Sequence, residues 1–358
     1  MIGPTTRRAA LALAVVAAVA GAACSAASSG STNSGTGTCK QASTPVITFA
    51  AYSTPREVYG KIIPAFQAKW KDEHNGQNVI FQESYGGSTT QAQNVVNGFQ
   101  ADVVALSLAP DVDIIKNAGL ITHDWTAAPD GGMVSSSVVV FDVRPGNPKS
   151  IKDWSDLATP GLQILTPDPA SSGGARWNIV GAYGAAERGK VPGFSGDAGA
   201  QQLLTAIFRN VTVLDKSARD SIKNFESGNG DVAITYENEV FTAQKAGLPD
   251  QMVIPSSTVL IENPVAVVDT NASAHCVTDV ANAFVNFLHT GEAKALYASV
   301  GFLRPTDPTL AAKGGGSRFA PIQDLFTVKD LGGWDHIDTK VFGDPSGIFT
   351  KAFTAAQA

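Results

Sequence analysis

The chain has 358 residues, with 26 lysines and arginines against 32 aspartates and glutamates, and a formal net charge of −6 at pH 7. A net negative charge without a basic run argues against nucleic acid as a partner. Beyond residue 40 the chain is long enough for two domains of ordinary size, or for one domain interrupted by an insertion.

The first 24 residues have the pattern of an export signal. Arg7 and Arg8 precede an apolar run that extends to Val19, and small residues then lead to Cys24. This order is typical of a secretory signal, and the apolar run is shorter than the roughly 20 residues that a membrane span needs. Small residues before a single cysteine resemble a bacterial lipoprotein signal. We therefore expect a signal peptide at 1–23 and a lipid on Cys24; an ordinary signal peptide with a free cysteine is the alternative.

Residues 24–42 are rich in serine, glycine and threonine, which is the composition of a flexible tether. We expect an exported protein that is held at the outer face of the cell membrane by its lipid alone. Cys39 and Cys276 would then lie in a compartment where disulfides persist. We predict that these two cysteines are bonded to each other, and the alternative is a pair of separate buried thiols.

After the tether, runs of β-branched residues alternate with segments of helical periodicity. In the first series the strands PVITFAAY, NVIFQES and DVVALSL are followed by helical segments at 54–70, 88–100 and 111–119. In the second series the strands are LQILTP, VTVLD and DVAITY, and the helices lie at about 175–188, 198–208 and 218–226. This alternation predicts an α/β fold, with parallel-type sheets flanked by helices.

Two long extended segments, SSSVVVFDVRPGNP and NPVAVVDTN, are predicted as crossover strands between two lobes. The amphipathic helical segment 278–299 would then return to the first lobe. We predict that lobe 1 consists of residues 43–136 and 260–315, and that lobe 2 consists of residues 137–259. Residues 316–358 are predicted as a C-terminal tail that packs on the lobes.

Four predicted helices begin with a clear polar signal. Thr54 is the expected cap of the first helix and Ser88 of the second, while the third follows SSGG and the fourth follows Ser217. Each signal alone is ordinary for a capped helix. The glycine pairs at 86–87 and 173–174 add a second feature, because they let a ligand approach unpaired backbone N–H groups. Four such helix starts that converge would suit a small tetrahedral dianion, since each carries about half a positive charge.

Several of these segments resemble the bacterial sulfate-binding proteins of ABC importers. They include YGGSTTQAQ, LTPDPASSGGARWN, NVTVLDKSARDS, GDVAITYENE and FLRPTDP, and the similarity runs from about residue 44 to the tail. The resemblance implies a two-lobe periplasmic binding protein of type II, a Venus-flytrap that closes over a dehydrated sulfate. It implies neutral donors in the site, no cofactor and no metal, a monomer, and delivery of sulfate to an import permease.

Carried over by position, the resemblance places the anion contacts on seven residues: Ser53, Ser88, Ser172, Gly173, Gly174, Ala218 and Tyr236. Aspartate is frequent in the family at the position of Ser53, and tryptophan at that of Tyr236. No carboxylate is among the seven residues. We therefore predict that the site prefers sulfate, which has no proton at neutral pH, over phosphate, which still carries one.

Five neighbouring residues are expected to support the site: Arg56, Gly87, Arg176, Ser217 and Arg219. For the three arginines we expect pairing with carboxylates such as Glu57, Asp220 or Glu237. The reason is that a fixed set of neutral donors selects by geometry, whereas a mobile charge attracts any anion. Direct contact between an arginine and the anion is the alternative.

Other functions remain as alternatives. Thiosulfate, molybdate and phosphate are other ligands for the same kind of receptor, and an adhesin that keeps the receptor fold is a further possibility. An exported hydrolase would need an activated nucleophile or a metal. The sequence contains no HExxH, CxxC, GxSxG or GxxxxGK[ST] motif, which argues against an enzyme.

Overall fold

The structure, a computed structural model, describes residues 39–314 and 318–358. The predicted signal peptide, the expected lipidation site at Cys24 and most of the tether lie outside the described residues. Within the described part of the chain, no helix combines the length and the apolar character that a membrane crossing requires.

The described residues form ten strands and thirteen α-helices. The strands are β1 (Val46–Tyr52), β2 (Ile80–Gly86), β3 (Val103–Ala105), β4 (Met133–Val143), β5 (Ile164–Pro167), β6 (Val211–Asp215), β7 (Val232–Tyr236), β8 (Gln251–Val253), β9 (Ser257–Val267) and β10 (Asp324–Phe326). The helices are α1 (Arg56–Glu73), α2 (Ser88–Val96), α3 (Ala109–Asn117), α4 (Gly173–Glu187), α5 (Gly196–Asn210), α6 (Ala218–Glu226), α7 (Glu237–Lys245), α8 (Asp269–Ala274), α9 (Thr278–Leu288), α10 (Gly291–Ser299), α11 (Pro308–Lys313), α12 (Trp334–Lys340) and α13 (Ile348–Gln357). The predicted α/β class is confirmed.

The strands form one connected sheet in the order β2-β1-β3-β9-β4-β7-β5-β6, with β10 beside β9 and β8 beside β4. The groups β2-β1-β3 and β7-β5-β6 are parallel, as connections through helices require. The long strands β4 and β9 run antiparallel to each other and to β7 and β3 respectively. The sheet is therefore mixed, with a parallel group at each end and two long antiparallel strands between them.

Strand β4 pairs with a different neighbour along each half of its length. Its residues Met133–Val138 pair with β9, and its residues Val139–Val143 pair with β7. Ten of the eleven residues of β4 are buried, as expected of a strand that is covered on both faces. Strand β4 therefore connects the first series of strands and helices to the second.

Two large apolar cores lie beside the two parallel groups. The first core draws on α1, α9 and the strands around β1, with Phe49, Phe66 and Phe284 in edge contact. The second and larger core contains Trp154 and Trp177 and includes residues from β4 to β9 together with residues of the tail. Each helical series thus buries its apolar side against its own strands.

The segment 278–299, predicted as one helix, is two helices in the structure. Helix α9 ends at Leu288 and helix α10 begins at Gly291. Thr290 caps α10, because its hydroxyl oxygen accepts the N–H of Ala293 at 3.3 Å. A threonine that caps a new helix favours a break over continuation.

The C-terminal tail packs on helices α4 and α5. Phe349 and Phe353 of α13 meet Phe208 of α5 with ring centroids 5.0 and 5.6 Å apart. Arg188, the residue after α4, forms two hydrogen bonds with the carboxylate of Asp324 at 2.8 and 3.0 Å. The tail therefore covers the outer side of the helix that begins with the SSGG motif.

Candidate anion-binding site

Residues at or near the starts of four helices, α1, α2, α4 and α6, surround one small space. Eleven residues line it: Tyr52, Ser53, Thr54, Gly86, Gly87, Ser88, Ser107, Ser172, Gly174, Ala218 and Tyr236. The space is narrow: the volume that the centre of a water-sized sphere can occupy is about 10 Å³, which is about the room that one water molecule needs. The space therefore fits a small ion rather than a sugar or a peptide.

None of the eleven lining residues carries a charged side chain. Six of the seven predicted contact residues line the space, and Gly173 lies beside it. Of the five predicted supporting residues, Gly87 lines the space; Arg56, Arg176, Ser217 and Arg219 do not. The polar groups that face a ligand here are hydroxyls and backbone amides.

Backbone N–H groups at helix starts supply unused donors. The amides of Ser88, Gly174 and Ala218, in the first turns of α2, α4 and α6, have no protein acceptor among the described residues. The first N–H groups of a helix lack partners within the helix and concentrate partial positive charge. An anion in the space would supply the acceptors that these amides lack.

The predicted helix caps are only partly present. Thr54 does not cap α1, which begins after Pro55 without a side-chain cap. Ser88 is the first residue of α2 instead of its cap, because its hydroxyl is engaged elsewhere. Ser217 caps α6 as predicted, with its hydroxyl oxygen accepting the N–H of Asp220 at 3.2 Å.

A buried carboxylate stands directly behind Ser88. The Ser88 hydroxyl donates to Asp111 Oδ2 at 2.5 Å and accepts the N–H of Ser107 at 2.8 Å, while the Thr89 hydroxyl donates to Asp111 Oδ1 at 3.0 Å. Burial raises the pKa of Asp111 to about 6, although the hydrogen bonds from Ser88 and Thr89 and the charge of Arg176 oppose the rise. Ser88 therefore offers its amide, and not its hydroxyl hydrogen, to the space.

Tyr236 closes another side of the space. Its hydroxyl lies 2.6 Å from the hydroxyl of Ser107, and burial holds the pKa of Tyr236 well above its usual value. One of the two hydroxyls donates to the other, so the second hydrogen of the pair stays available to a ligand.

Two glycines let the chain approach itself closely around the space. A Cβ at Gly87 would lie 2.4 Å from the carbonyl oxygen of Ser171 and 2.7 Å from that of Lys216. A Cβ at Gly173 would lie 2.4 Å from Leu108 Cδ2. Side chains at either position would separate the segments around the space before they touched a ligand.

The sequence from residue 47 to residue 303 matches the family model described as bacterial extracellular solute-binding protein. This chain belongs to that family. A sulfate-binding protein of Synechococcus elongatus is 43% identical over 353 residues, which cover 97% of this chain and 96% of the relative. The predicted family and fold are confirmed.

Two further relatives of this solute-binding protein bear on its ligand. The structure of the sulfate-binding protein SubI from Mycobacterium tuberculosis H37Rv is 38% identical and matches with a TM-score of 0.74, covering 82% of this chain and 98% of SubI. A thiosulfate-binding protein of Pseudomonas aeruginosa is 35% identical over 325 residues, 89% of this chain and 95% of the relative.

Arg219 ties together residues on both sides of the space in this solute-binding protein. It forms ion pairs with Glu57 and Glu239 and donates to the carbonyl oxygen of Thr54 at 2.9 Å. Burial acts to raise the pKa of Glu57, but the hydrogen bond and charge of Arg219 outweigh it and the pKa is lowered. Of the carboxylates named from the sequence, Glu57 pairs with Arg219 as expected.

The other two arginines also have partners away from the space. Arg176 pairs with Asp338 of the tail, and the guanidinium of Arg56 lies over the ring of Tyr85, 5.2 Å from its centroid. Glu237 does not serve these arginines, because it forms a buried ion pair with Arg304 at 2.6 and 2.7 Å. Three guanidinium groups therefore stand near the space without lining it.

Sequence reasoning did not assign Ser107 or Asp111 to the anion site. Both follow the short strand β3 in the stretch LSLAPD, and a polar residue at the end of a parallel strand is a signal for a ligand site. Asp338 carried no such signal, because it is 162 residues from its partner Arg176.

Proposed function

We propose that this protein captures sulfate outside the cytoplasm and delivers it to the permease of an ABC importer, acting as a monomer. The observation that supports the proposal most directly is the lining of a small space. This lining contains unpaired helix-start amides and neither a carboxylate nor a cationic side chain. Such a site favours a bare dianion over a protonated one, since it offers many donors and no carboxylate to accept a proton. The names of the relatives from Synechococcus elongatus and Mycobacterium tuberculosis support the same ligand.

The proposed contacts are the backbone amide of Ser88 and the backbone amides or hydroxyls of Ser53, Ser172, Gly173, Gly174, Ala218 and Tyr236. Capture would occur by closure of lobe 1 (43–136 and 260–315) on lobe 2 (137–259), with the tail after 316 packed on the lobes. Two hydrogen bonds between the proposed lobes support a closed arrangement. Trp177 Nε1 donates to the carbonyl oxygen of Ser107 at 2.8 Å. The backbone N–H of Thr90 donates to the carbonyl oxygen of Ser171 at 3.2 Å.

Calorimetric titration of the purified protein with sulfate, thiosulfate, molybdate and phosphate tests the proposal. We expect sulfate to bind with a dissociation constant in the micromolar range or below, roughly −8 kcal/mol or stronger, and to bind more tightly than the other three anions. Tighter binding of thiosulfate would assign the protein to the other ligand, and the absence of sulfate binding would refute the proposal.

The proposal includes an anchor on Cys24. The supporting observation is the run of small residues before this cysteine and the serine- and glycine-rich tether after it. A lipid there would hold the protein at the outer face of the membrane. Replacement of Cys24 by serine should release the protein from the membrane fraction of cells, and a variant that stays membrane-bound would contradict the anchor.

The proposal also includes a disulfide between Cys39 and Cys276. Their Cα atoms lie 5.4 Å apart, within the range of about 4.4–6.8 Å that a disulfide requires. The bond would fasten the end of the tether beside β1 to the segment between α8 and α9. Thiol titration of an exported Cys24→Ser variant should detect no free thiol, and two free thiols would refute the bond.

A further inference from the structure

The C-terminal tail holds a positive charge that stands next to the proposed anion site. Arg176 follows Gly174 by two residues, and its guanidinium pairs with Asp338 of α12. The guanidinium also lies over the rings of Phe342 and Trp334, 4.3 and 5.7 Å from their centroids. The tail thus fixes the direction of this side chain by one ion pair and two aromatic faces.

The charge of Arg176 reaches the site although its guanidinium does not line it. Arg176 is absent from the eleven lining residues, and its side chain is 14% exposed. Its charge nevertheless acts on the pKa of Asp111. Burial raises this pKa, and the charge of Arg176 opposes part of the rise. Asp111 in turn accepts the hydroxyl of Ser88 in the lining. A change in the position of Arg176 would therefore change the electrostatics of the space.

We propose that Asp338 is a positioning residue for anion selectivity, which acts by holding Arg176 outside the anion space. The inference rests on the proposed function, that is, on sulfate binding at the start of α4. A fixed set of neutral donors discriminates against an anion that carries a proton, because the proton finds no acceptor. A guanidinium that is free to enter the space would attract phosphate and sulfate alike.

Asp338→Asn tests the inference, because asparagine keeps the size of the side chain and removes its charge. Calorimetric titrations with sulfate and with inorganic phosphate at pH 7 give the ratio of the two affinities. We expect the ratio of sulfate affinity to phosphate affinity to fall about fivefold in the variant. The reason is that the released guanidinium would attract both anions, so the neutral donors would discriminate between them less. In the Arg176→Gln background the same Asp338→Asn change should leave the ratio unaltered.

Lys340→Gln is the matched control on the same helix. Lys340 pairs with Asp197 of α5 at 3.0 Å, so its loss perturbs the docking of α12 without releasing Arg176. The ratio should match that of the wild type in this variant, and the unfolding midpoints of the two ligand-free variants should be similar. An equal fall in both variants would show a general structural effect and overturn the inference.

The outcomes separate this inference from the proposed function. A wild type that does not bind sulfate refutes the proposed function. A wild type that binds sulfate, together with an Asp338→Asn variant whose ratio is unchanged, refutes the positioning role of Asp338 alone. A fall of the ratio that persists without Arg176 also refutes it, since Asp338 would then act through another group.

Discussion

The anion space and the carboxyl pair formed by Asp142 and Asp250 are opposite cases of unsatisfied polar groups. In the anion space, amides of three helix starts lack acceptors among the described residues. At the end of β4, both oxygens of the fully buried Asp142 and one oxygen of Asp250 lack hydrogen-bond donors within the described chain. Unused donors attract an anion, whereas unused acceptors attract a proton.

The physical rule behind both cases is that buried polar groups need partners. An unpaired buried group costs about 1–3 kcal/mol, so a protein keeps several together only where something else completes them. Sulfate would complete the donors of the anion space. Burial and the neighbouring Asp250 carboxylate raise the pKa of Asp142, so a shared proton would complete the acceptors. The comparison thus predicts ligand dependence at one region and pH dependence at the other.

Gly87→Ala should break the anion space with the largest effect. Residue 87 has extended backbone angles (φ −63°, ψ 136°) that alanine adopts without strain. Its Cβ, however, would lie 2.4 Å from the Ser171 carbonyl oxygen. We expect sulfate affinity, measured by calorimetry, to fall about 100-fold, because the segments around the space cannot approach each other.

Gly60→Ala is the control for this change, since a Cβ at Gly60 on α1 meets no atom within 4 Å. It should leave sulfate affinity unaltered. The ligand-free Gly87→Ala variant should keep the unfolding midpoint of the wild type. Wild-type affinity in Gly87→Ala would mean that the close approach at Gly87 is not part of the binding state.

Discrimination between sulfate and phosphate tests the absence of a carboxylate from the lining of the space. A phosphate O–H that is buried among donors loses its partner at a cost of roughly 1–3 kcal/mol. We expect sulfate to bind about 5- to 150-fold more tightly at pH 7 to 8, as measured by competition. Equal affinities would indicate that an acceptor faces the ligand, and Asp111 behind Ser88 is the nearest candidate.

The sequence predicts the anion space better than the carboxyl pair, for a physical reason. Helix starts and glycine pairs are local signals, so Gly87, Gly174 and Ala218 can be recognised without knowledge of the fold. The neighbourhood of Asp142 depends on strand register, which places this residue opposite Ala233 of β7 and Met252 of β8.

Contacts between distant segments are equally hidden in the sequence. The pairing of Asp338 with Arg176 and of Ser107 with Tyr236 requires the assembled molecule. The cap expected of Ser88 failed for a related reason. Tertiary partners such as Asp111 compete with the local helix start for a hydroxyl.

Asp142→Asn should remove the pH dependence that belongs to the carboxyl pair. Burial and Asp250 raise the folded-state pKa of Asp142 to about 8, with Glu226 adding to the rise and Arg144 opposing it. Because the folded state then holds a proton that the unfolded state releases, stability falls as pH rises from about 4 to 8. The slope is at most about 1.4 kcal/mol per pH unit.

The stability of the asparagine variant relative to the wild type should therefore rise between pH 5 and pH 8, by at most about 4 kcal/mol over the three pH units. Its amide would donate to the Asp250 carboxylate without taking up a proton. Urea unfolding of both proteins at the two pH values measures the difference. Parallel pH slopes for variant and wild type would show that the pair does not share a proton.

Tyr236→Phe is the smallest and most selective change to the anion space. The phenol and the Ser107 hydroxyl lie 2.6 Å apart and share one hydrogen bond, so a single hydrogen of the pair is free for the anion. Without the phenol oxygen, the Ser107 hydroxyl loses its partner and turns its own hydrogen to the ligand. Sulfate therefore receives a hydrogen from Ser107 in place of the better-placed hydrogen of the original pair, and we expect about a threefold weaker affinity.

Phosphate loses more affinity than sulfate, because the phenol oxygen of Tyr236 is a group in the lining that can rotate to accept the phosphate proton. The ratio of sulfate affinity to phosphate affinity should accordingly rise in the variant. A fall in this ratio would show that the Tyr236 hydroxyl only donates to the bound anion and accepts no proton from phosphate.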